Sequence, residues 1–315
     1  MALLSRVADR LYWGARYVER AEDTARVVRA YTELIVDLPI DLLPYSWEPL
    51  VAIAGSQALF GEKHGEHAVI EFLVADRDNP GSMASSIAFA RENLRTTREV
   101  LPREAWRALN GLQQYVLAEA ERAVERRTRD RFLARVIGDS RRLDGELEST
   151  MTRAAPYRMW RLGQLIERAD MTTRVLGVRA ASILQMQTTD RVDARVDDHD
   201  EVQWMGVLRS VAALQMYQRA TRGPIEGPSV VRFLLFYTQF PRSVRGCLDA
   251  MRAVLATLPR PDDVITVLDQ TTATLMACAA HADDGARLDD AMDEVQHAIG
   301  ELDQAIARRF LAVGD

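Results

Sequence analysis

Lysine is almost missing from this chain of 315 residues: Lys63 stands alone among 40 basic side chains, and the rest are arginine. Cysteine is nearly as scarce. Cys247 and Cys278 cannot form a CxxC site or a disulfide framework, which excludes a disulfide-rich scaffold and leaves two buried thiols. Aromatics make up only 7% of residues. No apolar run approaches the roughly 20 residues a membrane helix needs, so no membrane partner is expected. Phosphate-binding motifs of the P-loop and GxGxxG types are absent, as is a Gly-x-Ser-x-Gly elbow. Nucleotide-dependent catalysis by this chain alone is therefore not expected. The net charge of −6 and pI near 5.5 argue against non-specific binding of nucleic acid. The first ten residues, MALLSRVADR, place charge where a secretion signal needs its apolar stretch, so a cytoplasmic location is expected.

What is present is helix. Leu4, Val7, Leu11, Gly14, Val18, Ala21, Ala25, Val28, Thr32 and Ile35 step by three and four, the seam of one long helix. Ser5 is its candidate N-cap and Pro39 its stop. The same periodicity recurs over 82–100, 103–127, 131–149, 157–186, 204–221, 229–237, 241–257, 262–282 and 287–311. No strand-like alternation bounded by hairpin turns is seen. The expected fold is all-α.

The chain also reads as if written twice. RLYWGARYVERAEDTARVV (10–28) aligns with RMWRLGQLIERADMTTRVL (158–176) at an offset of 148. Further on, VIEFL (69–73) aligns with VVRFL (230–234), Pro80 with Pro241 and Ser82 with Ser243, all at an offset of 161. Ordered matches with a slowly growing offset are what a duplication with loop insertions leaves behind. The expectation is one helical bundle over 1–315, built from tandem multi-helix halves, 1–149 and 150–315, related by a pseudo-two-fold axis.

On the first helix Tyr12, Ala15, Glu19, Glu22 and Arg26 form a second stripe about 100° from the apolar seam. Its counterpart is Trp160, Gly163, Glu167, Asp170 and Arg174. Carboxylates bordering a core are costly unless paired. Three readings stay open: an ionic network fixing helix register, a metal site, or a ligand-binding or catalytic site with carboxylates whose pKa crowding raises. The Glu-x-x-His step of di-iron bundles is missing, so neither a metal nor any other cofactor is assigned. The catalytic candidates are Glu19, Glu22, Glu167 and Asp170. The ligand-binding candidates are Arg26, Arg174 and a stripe of Arg91, Arg95 and Arg98 after Asn79-Pro80-Gly81-Ser82, whose forks suit a carboxylate or phosphate. Arg242 and Arg245 could serve similarly in the second half. Arg20 and Arg168 point away from the seam and read as solvated residues or a partner surface. His64, Glu66, His67 and Glu71 lack a further strong ligand and read as a solvated loop. The acidic stretch 190–201 lacks the spacing of a calcium loop.

LLSRVADRLYWGARYVERAEDTAR at the start, SSIAFARENLRTTRE (85–99), TMTRAAPYRMWRLGQLIERADMTTRVLGVR (150–179) and FPRSVRGCL (240–248) together resemble the alpha-E domain family of bacterial helical proteins. The resemblance implies an all-helical fold with prominent acidic positions. It also implies association with circularly permuted ATP-grasp-type proteins, transglutaminase-like proteins and sometimes a proteasome-related peptidase. The function it implies is an accessory subunit, binding partner or substrate, in a system that forms or processes amide bonds in peptides. A peptide or amino-acid ligand fits that role. Two alternatives remain: a metal-independent amide-transfer or hydrolysis enzyme using pKa-raised carboxylates, and a purely structural adaptor. Whether the chain is itself an enzyme stays open.

Overall fold

The computed structural model describes residues 5–37, 46–180, 183, 196–282 and 284–311, and all regular structure among them is helical. The helices are α1 (Ser5–Asp37), α2 (Pro49–Ile53), α3 (Gln57–Phe60), α4 (Gly65–Val74), α5 (Met83–Arg95), α6 (Arg103–Glu119), α7 (Arg126–Thr150), α8 (Ala155–Val175), α9 (Val196–Ser210), α10 (Leu214–Thr221), α11 (Gly227–Phe236), α12 (Val244–Leu255), α13 (Asp262–Ala277) and α14 (Gly285–Ile306). Pro39 and residues 190–195 of the acidic stretch lie outside the described residues; the rest of the stretch, 196–201, opens α9 rather than forming a loop.

Two helices are hubs. α1, 33 residues long and so about 50 Å from end to end, packs on α8, α5, α7 and α9. With neighbours on every side it keeps no solvent stripe, and residues 21–28 are buried without interruption. α8 lies along α1 and carries α12 and α14 on its other sides. Gly163 marks a close approach of the two hubs: a Cβ there would collide with the Tyr12 carbonyl.

Several boundaries differ from the periodicity. The run 82–100 ends its α-helix at Arg95, where the Thr96 and Thr97 hydroxyls donate to the carbonyls of Asn93 and Leu94 and a 3₁₀ turn, Arg98–Val100, follows. The run 204–221 splits into α9 and α10 because Ala212 adopts φ 55°, outside the right-handed helical region. Glu66, His67 and Glu71 sit on α4 rather than on a loop, and Glu66 is held by Arg126 and Arg129. Ser82 and Ser243 each cap a helix: the Ser85 and Gly246 amides donate to their hydroxyls at 3.1 and 3.0 Å.

Candidate functional site

The interface of α1 and α8 is a buried exchange of ions. From α1, Arg20 donates to both oxygens of Glu167, through Nε to Oε1 and at 3.0 Å to Oε2. From α8, Arg168 donates to both oxygens of Glu19, at 2.8 and 2.9 Å. Each Glu-Arg pair thus gives its arginine to the other's glutamate. Glu19 and Glu167 are 1% and 3% exposed, so they persist as ions only because each has more than one cationic partner. Arg16 adds a 2.8 Å bond to Glu167, and Arg242 lies 2.9 Å from Glu19. Burial alone would raise both pKa values; Arg168 and Arg242 hold Glu19 down to about 2, and Arg20 and Arg16 hold Glu167 there too.

Arg242 reaches Glu19 from the turn that Ser243 caps. Its guanidinium also bonds Asp23 at 2.5 Å and lies 3.4 Å from Glu22. Glu22 accepts from Arg26 one turn on, and Arg141 stands 3.5 Å away. Asp23 Oδ2 is buried with no hydrogen-bond partner. Burial, offset in part by Arg242 and reinforced by Glu19 and Glu22, pushes Asp23 up to about 7. Cys247 is buried here as well, and burial raises its thiol to about 12, which leaves it protonated and unreactive.

Beside this network a cleft of about 380 Å³ opens between the C-terminal end of α7 and the first turns of α8. Asp144, Tyr157, Trp160, Arg161, Gln164 and Arg168 are among its lining residues. The Gln164 amide donates to Asp144 Oδ2 at 2.5 Å, and its carbonyl oxygen accepts from Arg161. Asp144 Oδ1 is shielded from solvent and has no partner. Burial, then repulsion from Glu19 and Glu22, raises Asp144 to about 7. Glu19, Glu22 and Asp144 each offer an oxygen within 4.8 Å of the others. A hard cation would seek that set, but Arg168, Arg242 and Arg26 already supply the positive charge.

The predicted residues fall into two groups. Glu19, Glu22, Glu167 and Arg26 belong to the buried network. Asp170 and Arg174 pair at 2.8 Å on one side of it, with side chains 20% and 30% exposed. Arg174 lies over Gly55, whose φ of +66° leaves room only for hydrogen. Arg91, Arg95 and Arg98 do not share one helix face, because α5 ends at Arg95 and Arg98 starts a 3₁₀ turn. Arg91 donates to Asn110, Arg95 to Glu92 on the surface, and Arg91 and Arg98 lie over the Trp106 ring. Arg245 pairs with Asp249. Arg20 and Arg168, read as solvated, are instead the reciprocal donors of the interface. Asp23, Asp144 and Asp303 were not singled out by sequence: the last two lie on α7 and α14, where no repeat motif flags them.

Over residues 3–311 the chain matches the Alpha-E family, described as a predicted alpha-helical domain with a conserved ER motif. Other Glu-Arg steps, Glu121-Arg122 and Glu125-Arg126, are exposed; the steps at 19–20 and 167–168 build the interface. Uncharacterized proteins of Mycobacterium bovis and Mycobacterium tuberculosis are 24% identical over 282 residues, covering 81% of this chain. The chain spans only 30% of the length of those relatives. No solved structure matches it. With nearly its whole length matched and two Glu-Arg steps interlocked at its centre, the chain belongs to the Alpha-E family.

Proposed function

We propose that this chain is an accessory binding subunit of an ATP-grasp-linked system that forms or processes amide bonds in peptides. The observation that supports it is the saturation of both Glu-Arg pairs. Glutamates held near pKa 2 by two arginines apiece cannot exchange protons at neutral pH. They fix helices, and the helices shape the cleft beside them. In the same reading the two halves are tandem repeats about a pseudo-two-fold axis. The exchange of Arg20 and Arg168 is what such an axis produces, since each patch contacts its own image. The test is co-purification of the tagged chain with the circularly permuted ATP-grasp protein of its host. Co-elution that raises amide formation by the partner supports the accessory role; a partner that does not co-elute and is fully active without this chain removes it.

One observation favours the enzymatic alternative. Asp144 lines an open cleft and titrates near neutrality, the property of a general acid or base. Amide hydrolysis by the purified chain that disappears in Asp144→Asn would establish it.

A further inference from the structure

The first half of the chain carries its own version of the cleft wall, and there the polar groups close on each other. Tyr12 donates its hydroxyl to Asp303 Oδ1, and Arg16 donates to Asp303 Oδ2 at 2.7 Å. In the aligned helix, at the offset of 148, Trp160 stands for Tyr12, Arg161 for Trp13 and Gln164 for Arg16. Asp144 of α7 takes the place of Asp303 of α14: Arg16 bridges Glu167 and Asp303, and Gln164 bridges Glu19 and Asp144. The substitutions remove one donor and one charge, since Gln164 still donates to Asp144 Oδ2. Tryptophan has no hydroxyl for Asp144 Oδ1, and glutamine brings no charge for Oδ2. The third substitution adds a cation to the cleft wall. Of the five N–H donors on Arg161, one is used by Gln164. A carboxyl with one shielded oxygen that lacks a donor and a guanidinium with donors to spare therefore line one cleft.

We infer that the α7–α8 cleft is a binding site for a short peptide with free ends, its amine on Asp144, whose shielded Oδ1 turns toward the cleft to accept it, and its carboxylate on Arg161. An ammonium group replaces the donor that Tyr12 supplies to Asp303. A carboxylate takes the open edge of the guanidinium, the pairing with the strongest geometric preference. Asp144 and Arg161 are separated by the Gln164 carboxamide and two hydrogen bonds. Two extended residues span about 7 Å, which suits that separation better than a single amino acid, whose amine and carboxylate share one carbon. The volume of about 380 Å³ lies at the small end of the roughly 300–1,000 Å³ of ligand pockets, again dipeptide-sized. Tyr157 and Trp160 supply apolar wall for small side chains.

The inference rests on the accessory reading for its biological sense but is tested apart from it. Calorimetry of the full chain with L-alanyl-L-alanine should show saturable binding. Arg161→Gln and Asp144→Asn should each weaken it tenfold or more, about 1.4 kcal/mol. The amidated dipeptide should bind wild type and Arg161→Gln alike, and the N-acetylated dipeptide should not distinguish wild type from Asp144→Asn. Asp144→Asn keeps the Gln164 bond, and melting curves of both variants report folding. Absence of saturable heat with wild type, or equal affinity in both folded variants, overturns the site. Capture of the ATP-grasp protein by the same samples separates the two ideas: capture without dipeptide binding rejects the cleft alone, and dipeptide binding without capture rejects the accessory role alone.

Discussion

A carboxylate among these residues takes its character from the number of arginines it can reach. Glu19 and Glu167 have two or more and stay ionised to about pH 2. Removing Glu19 strands Arg168 and takes one of its carboxylates from Arg242, so Glu19→Ala should lower stability by roughly 3–5 kcal/mol, the range for breaking a buried pair from one side. A chemical melt of Glu19→Ala, Arg168→Ala and the double variant checks this; the double should cost less than the sum, because the residues share one interaction. Asp23 and Asp144 behave oppositely. From about pH 4 to about 7 the folded chain keeps protons that unfolded carboxyls, with pKa near 3.9, have released. Their contribution is full below the unfolded pKa and is lost as pH rises through 7. The glutamates contribute above about pH 4.3 and lose that contribution as pH falls toward 2. Melting temperature followed against pH should therefore peak near pH 4–5, between these unfolded and folded pKa values. Asp144→Asn should flatten the decline on the neutral side. An identical slope in the variant would mean that Asp144 titrates normally.

At the scale of the helix, Gly163 decides how near α8 comes to α1. Gly163→Ala has to push the Tyr12 carbonyl away and should destabilise by about 1–3 kcal/mol or more, as overpacking does. Gly111, exposed on α6 with open space around its Cβ position, is the control. Gly111→Ala should stabilise by about 0.5–1 kcal/mol through helix propensity, and paired denaturant curves compare the two. The helices and the acidic stripes were legible because periods of three and four, and carboxylates beside a seam, are local patterns. The partners of those acids were not. A helical wheel assigns one side to solvent, and α1 has no such side, so Arg20 seemed free. The repeated Glu-Arg step was the available signal, since each copy's partner is the other copy. Asp144 escaped because only the shortage of donors around it in space sets it apart. Arg98 was misplaced because hydroxyl groups at 96 and 97 end the helix that periodicity would carry on.

Across the whole molecule, the two hubs make the halves dependent on each other. Residues 1–149 alone would expose the Glu19 face of α1, and 150–315 alone the Glu167 face of α8. Each would carry apolar surface together with unmatched ions. Expressed separately, neither fragment should melt cooperatively, while co-expressed fragments should associate and recover a single transition. A lone half with the melting temperature of the full chain would show that the halves are independent units. The reciprocal contact has one more consequence. Arg20 and Glu167 are 147 residues apart, and the faces they join are self-complementary. α1 of one molecule can therefore take α8 of another through the same bonds, with the short 151–154 connection as hinge. Refolding at high concentration should yield an intertwined, domain-swapped dimer, and dilution before refolding should favour the closed monomer.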